Sequence, residues 1–295
     1  MELSVSLLFG SIGAIIHGVN LSDPMSDDEF KFIYDALVKH KVIAFPKQVT
    51  MSPAEHVTFS RRFGECDVHS NSQYLLEHFP EILILSNDMK DGQPIGVVDA
   101  GVEWHSDLSW QIDPPLGSIL HCLQNPDQGG NTGFINMAAV FKILPEPLKQ
   151  RILGLEGIHC VSKLINRRVT ISENRVNARE FYAEQLKKHP PVQHPLVYRH
   201  PESGELVLFA SPRFTIDIAD TPEEESQAIL DELFTYLENP SVRLEYEWSL
   251  GDVVMWDNRS VLHCAFGGYS YPDIRKINRT TVLCDQATRL KPVTL

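Results

Sequence analysis

Apolar residues in the first sixty positions recur at helical spacing in two short stretches, and each stretch is introduced by the same polar signature. Ser26 stands three residues ahead of Glu29, and Phe30, Ile33, Tyr34 and Leu37 follow on one face. That is a capping box at the head of an amphipathic helix. Ser52-Pro53-Ala54-Glu55 repeats the signal with proline in the first turn, and Gly64 is the expected stop. A third helix is predicted from Thr221-Pro222-Glu223-Glu224, with Leu230, Leu233, Phe234 and Leu237 as its stripe and Asn239-Pro240 as its terminator.

Elsewhere the apolar runs are short and rich in β-branched residues. Val42–Phe45 and residues 82–85, 118–123, 196–198, 206–209, 242–248, 253–256 and 280–283 read as strands. Residues 13–19 read as part of an opening strand pair, and Pro201-Glu202-Ser203-Gly204 as a turn between two strands. No repeat, low-complexity tract or linker interrupts the pattern. The expectation is a single domain over residues 1–295, mainly β, a sandwich or jelly roll with flanking helices. Residues 162–193 are polar, basic and weakly periodic, which marks an insertion suited to a lid.

Composition narrows the partners. The chain has 295 residues, 43% hydrophobic and 22% charged, as in a soluble globular protein. Its net charge of −13 argues against nucleic acid or an anionic membrane as partner. The apolar stretch at 5–16 lacks a basic flank, is interrupted by Gly10 and Gly13, and is too short to span a membrane. Five scattered cysteines, with no C-x-x-C pair, fit a reducing compartment, so a cytoplasmic location is expected.

The candidate chemistry begins at Trp104-His105-Ser106-Asp107. In an extended segment His105 and Asp107 point the same way and can chelate one ion. A lone H-x-D pair is more often a solvated surface pair. His200 and Glu202, beside Pro201 and Gly204, are assigned to the surface on that ground. His263 follows a buried-strand pattern in Val253-Val254-Met255-Trp256-Asp257-Asn258, where a hydrogen-bonded core histidine is the plain reading. Together the three residues make two imidazoles and one carboxylate, the facial set of non-haem Fe(II) oxygenases. Arg275 and Arg279 follow, and guanidinium forks bind carboxylates in pairs of hydrogen bonds.

Four pieces, in order, resemble the motifs of the TauD/TfdA family of Fe(II)- and 2-oxoglutarate-dependent dioxygenases. They are Trp104-His105-Ser106-Asp107, Gly129-Gly130-Asn131-Thr132-Gly133, Trp256-Asp257-Asn258-Arg259 with His263, and Arg275 with Arg279. The resemblance covers nearly the whole chain and implies a double-stranded β-helix core. It implies that His105, Asp107 and His263 hold Fe(II), and that Arg275 and Thr132 receive the distal carboxylate of 2-oxoglutarate. It implies that Arg279, Phe214 and His69 meet the primary substrate. The reaction implied is oxidation of a C–H bond of a small, acidic organic molecule by dioxygen, with release of succinate and carbon dioxide. Relatives assemble as dimers or tetramers. Two departures shape the expectation. Tyr74 does not keep the spacing from His69 found in taurine-oxidising members, and no Asn stands ahead of Trp104, which points away from taurine. Asp107 is present, which points away from halogenation. Two other classes stay open: a silent metal-binding or sensor protein on the same fold, and a hydrolase using the two histidines and the carboxylate for a metal.

Overall fold

Both capping boxes form. Ser26 accepts from the Glu29 amide and Glu29 reaches back to the Ser26 amide at the head of the helix Asp27–His40. Ser52 and Glu55 do the same for Pro53–Arg61. These are the coordinates of a computed structural model, which describes residues 2–70, 72–98, 101–161, 184 and 186–293. The second helix ends at Arg61, before Gly64. The third predicted helix runs from Glu223 to Thr235 without a side-chain cap. Thr221 instead turns its hydroxyl to the Ala219 carbonyl, and Leu237 sits in the short 3-10 turn that follows. Asn239 caps the next turn, Pro240–Val242, so the strand expected at 242–248 shortens to Arg243–Tyr246.

The strands build a sandwich, as the pattern predicted. The large sheet orders Ser4–Phe9, Ile12–His17, Val42–Phe45, Val253–Asp257, Gly117–Gln124, Lys276–Val282, Phe79–Ser86 and Leu75–Leu76. All neighbours in it are antiparallel except Ile12–His17 with Val42–Phe45. Against it lies a sheet of Arg243–Tyr246, Thr132–Asn136 and Val261–Ala265. The last two strands escaped the sequence reading. Lys276–Val282 starts four residues earlier than the strand predicted at 280–283, so Arg279 lies within it rather than at its start.

Strand periodicity sorts the core into layers. Val42, Ala44, Leu120, Cys122, Val254 and Trp256 meet Phe134, Val261 and Trp248 between the two sheets. Their alternating neighbours Ile43, Phe45, Ile119, Val253 and Met255 face the other way, onto Ile33, Leu37 and Phe59 of the first two helices. On the small sheet, Ile135 and Leu262 pack outward on the helices Met137–Ile143, Glu146–Ile152 and Glu223–Thr235. Period-two alternation thus makes one side of each strand available to the space between the sheets. Most of the expected insertion at 162–193 falls outside the described residues, and its last two residues belong to the strand Val192–Pro195. Among the described residues no helix is long and apolar enough to cross a membrane.

His56 is fully buried under the large sheet, with Nε2 within 3.2 Å of the Ile119 carbonyl and its ring 6.1 Å from that of His121. Burial first, then the neighbouring His121, pushes its pKa down from 6.5 to about 3. The unfolded ring takes up a proton below about 6.5, whereas the folded ring does not until about 3. Its contribution is therefore complete above pH 6.5 and is lost as the pH falls towards 3. Urea unfolding across that range should show wild type losing stability more steeply than His56→Gln, by about 1.4 kcal/mol per pH unit. Parallel profiles would mean that the folded ring is protonated.

Candidate metal centre and co-substrate pocket

His263 occupies the Val261–Ala265 strand on the same side as Val261, facing the gap between the sheets. Its ring lies against Trp256 at 4.4 Å between centroids. His105 is joined to it by one antiparallel rung: the His105 N–H donates to the His263 carbonyl at 3.1 Å, and the His263 N–H donates to the His105 carbonyl at 2.8 Å. The rung sets the two rings 4.1 Å apart. Asp107 does not continue that rung as a strand, as the sequence reading supposed. The chain turns there, and Leu108 takes a positive φ of 49°. The carboxylate reaches the imidazoles from a turn.

The three side chains are buried, and their ligand atoms all lie within 4.8 Å of one another. Asp107 Oδ1 stands 3.6 Å from His105 Nε2 and 3.6 Å from His263 Nε2, too far for hydrogen bonds. His105 Nδ1 is 2.7 Å from the Glu103 carbonyl. A carbonyl only accepts, so Nδ1 carries a proton there, and Nε2 is the nitrogen that faces Asp107. Burial, followed by the adjacent His105, holds the His263 pKa well below the usual imidazole range, so that ring is neutral. Burial alone would raise the Asp107 pKa, but the Arg279 guanidinium and the two imidazoles hold it well below the usual carboxylate range. One carboxylate oxygen and two imidazole nitrogens converge on one point. That donor set fits a divalent cation.

Asp107 Oδ2 is otherwise engaged. The Ser118 hydroxyl donates to it at 2.9 Å, and Arg279 Nη2 pairs with it at 2.8 Å. Arg279 therefore lies at the site, tied to the candidate ligand. His69 is partly buried beside this pair, and burial and Arg279 lower its pKa. The Phe214 ring is buried 5.9 Å from that of His105. Gly101 packs against the same imidazole. Its φ is +76°, and a Cβ there would stand 3.0 Å from His105 Cε1.

Arg275 and Thr132 also meet. Arg275 Nε donates to the Gly130 carbonyl at 2.9 Å, and Nη2 lies 3.5 Å from the Thr132 hydroxyl. Trp248 donates to the same hydroxyl at 2.9 Å, and its ring lies under the guanidinium at 5.8 Å. Gly130, at φ +73°, lets the loop pass this closely, since a Cβ would come within 3.1 Å of Arg275 Cδ. Arg275 borders a cavity of about 660 Å³ walled by Leu85, Val97, Val102, Ala265, Phe266 and Tyr269. Ala265 is two residues past His263, so the cavity adjoins the metal site.

One assignment is overturned. Glu202 is exposed as expected, but His200 is not on the surface. His200 is fully buried with Nε2 2.9 Å from Asp257 Oδ2. Asp257 also holds Arg259 through two hydrogen bonds of 2.9 and 2.7 Å, and Arg259 spans to both oxygens of Glu202 at 3.0 Å and to the Thr288 carbonyl at 3.0 Å. A turn beside Pro201 looked solvated only because its partner is distant in sequence. Trp256, Asn258 and Ser118 were not assigned roles. For Ser118 the available signal was a hydroxyl at an inward position of an apolar strand.

The family profile described as "Taurine catabolism dioxygenase TauD, TfdA family" matches residues 4–281. The chain belongs to the TauD/TfdA family. Over 97% of its length it is 29% identical to an alkylsulfatase of Acinetobacter baylyi, of which it covers 86%. It is 30% identical to an alpha-ketoglutarate-dependent sulfate ester dioxygenase of Pseudomonas putida, over 91% of this chain and 86% of that one. The solved structure of a taurine dioxygenase from Burkholderia xenovorans superposes with a TM-score of 0.79 at 27% identity, covering 99% of this chain and 95% of that one. As a family member the protein is a 2-oxoglutarate-dependent, non-haem iron dioxygenase with the family's jelly-roll core.

The Asp257 network predicts a stability difference. Asp257→Ala leaves buried Arg259 with Glu202 as its remaining counter-charge and removes the partner of His200 Nε2, and should cost about 3–5 kcal/mol in urea unfolding. Tyr34→Phe removes one hydrogen bond to Glu202, 2.8 Å long at the network's rim, and should cost about 1 kcal/mol. Equal losses would show that the charges are solvated.

Proposed function

We propose that His105, Asp107 and His263 hold Fe(II), that Arg275 with Thr132 takes the distal carboxylate of 2-oxoglutarate, and that Arg279, Phe214 and His69 face a small anionic organic substrate. The observation that carries this reading is the convergence of three buried side chains whose ligand atoms lie within 4.8 Å of one another, beside the Arg279 guanidinium. Bound iron supplies the activation of dioxygen that oxidises a substrate C–H bond as 2-oxoglutarate becomes succinate and carbon dioxide.

The chain's own groups account for the rest. The Glu103 carbonyl fixes the His105 tautomer, and Ser118 and Arg279 turn Asp107 so that Oδ1 faces the imidazoles. Arg275 is paired with neutral oxygens, which leaves its charge available to a carboxylate. Arg279 keeps Nε buried and without a hydrogen-bond partner among the described residues, a donor that an incoming anion can use. The relatives named for sulfate esters and alkyl sulfates, and another named for 2,4-dichlorophenoxyacetate, take substrates with an acidic head on an apolar body. The apolar cavity walls at Val102, Ala265 and Phe266 suit that class. The 1–295 span is read as one domain, and its five scattered cysteines, with no C-x-x-C pair, support a cytoplasmic setting. Self-association as a dimer or tetramer belongs to the same reading.

Succinate release and dioxygen uptake with Fe(II), 2-oxoglutarate and a panel of alkyl sulfates, alkyl sulfonates and aryloxyacetates test the reading. Turnover is expected with one anionic class and lost in His105→Ala, Asp107→Ala and His263→Ala. Near wild-type turnover in any of these variants removes that residue from the ligand set, and a preference for neutral or cationic compounds overturns the substrate class. Arg275→Ala should raise the KM for 2-oxoglutarate about 10- to 100-fold with iron binding intact, since a charge-assisted hydrogen bond contributes about 1.5–3 kcal/mol. An unchanged KM would place the co-substrate carboxylate elsewhere.

A further inference from the structure

Asp107 has no strand to hold it. It follows the single rung at His105 and sits in a turn. Nothing in the sheet ladder fixes how far its carboxylate reaches. The fixing comes from Asn258, across the fold. The Asn258 amide oxygen accepts the Asp107 backbone N–H at 2.7 Å, and its amide nitrogen donates to the Asp107 carbonyl at 2.9 Å. This is a closed amide-to-peptide pair, made by a side chain on both backbone groups of one residue. The same nitrogen also donates to the Pro115 carbonyl at 3.2 Å. The Asn258 main chain is tied as well: its N–H donates to Leu116 at 2.8 Å, and its carbonyl accepts the Ser106 hydroxyl at 2.8 Å. Asn258 is 1% exposed and follows Asp257, which the Arg259 and His200 network holds rigid.

We propose that Asn258 is a positioning residue for the metal centre, fixing the backbone of Asp107 so that Oδ1 stands equally far from both imidazole nitrogens. The inference rests on the reading of Asp107 as a ligand. Asn258 touches neither metal nor substrate. It acts by removing freedom from a turn that otherwise swings on one rung. Ser118 completes the arrangement by holding Oδ2, so that the backbone sets reach and the hydroxyl sets rotation. Outer partners that orient ligands in this way are worth about 10- to 100-fold in metal affinity.

The test uses Mn(II) as the probe, with free ion counted by its solution EPR signal, on full-length wild type, Asn258→Ala, the similar-sized Asn258→Leu, and His105→Ala. Circular dichroism and thermal melting monitor the fold. The expected result is an Asn258 variant that folds cooperatively, binds Mn(II) about 10- to 100-fold more weakly, and gives a broadened bound-ion spectrum from a less uniform site. A merely structural role lowers the melting temperature but leaves affinity and line shape unchanged. A folded Asn258 variant with wild-type Mn(II) binding overturns the proposal, and so does failure of both Asn258 variants to fold, which makes the residue structural. If His105→Ala keeps wild-type affinity, the ligand reading itself fails. If it loses affinity while a folded Asn258 variant does not, only the positioning role fails.

Discussion

Everything at the centre depends on keeping one carboxylate charged among buried side chains, within reach of two imidazoles. Burying a lone carboxylate is costly, and the chain answers with a guanidinium at 2.8 Å and a hydroxyl at 2.9 Å on the same oxygen. The other oxygen is left to the imidazoles, and burial of His263 disfavours its protonation. The arrangement is balanced around a positive charge that the protein itself does not place among these three atoms. Arg279 contributes to that balance from the adjoining position within the Lys276–Val282 strand.

The balance can be held because the surrounding sheets allow little motion. Each strand of the Gly117–Gln124, Val253–Asp257 and Val261–Ala265 group presents one side to the space between the sheets and the other to a helical layer. Trp256 illustrates the result. It closes one side of His263 while its neighbour Met255 is fixed under the first two helices. The buried charge network of Asp257, Arg259, His200 and Glu202 then anchors the end of that strand to a hairpin, to the first helix through Tyr34, and to the chain near Thr288.

Local chemistry was legible in the sequence wherever the cause of the structure was itself local. Ser26 with Glu29, and Ser52 with Glu55, need only each other, and both boxes formed as read. The strand 253–256 was visible because both of its faces are apolar. Three residues of the candidate site announced themselves by their types and order. The remainder depended on distant partners. His200 was misread because its burial is decided by Asp257, and Asp107 was placed on a strand because Asn258, which holds the turn, is contributed from far along the chain. The strand Thr132–Asn136 follows two glycines and carries polar ends, so its pairing with Val261–Ala265 left little local trace.

The His105–His263 rung joins segments that are remote in sequence, beside the pairing of Val261–Ala265 with Thr132–Asn136. Pairings of such separation carry a large loop-closure cost and are completed slowly. A nascent or partly folded chain therefore displays His105 and Asp107 without their third companion, and offers a cation no more than a weak two-donor contact. Metal cannot template this fold in the way that a short zinc-binding loop is templated by its ion. The three donors come together only where the folded chain joins its two remote segments.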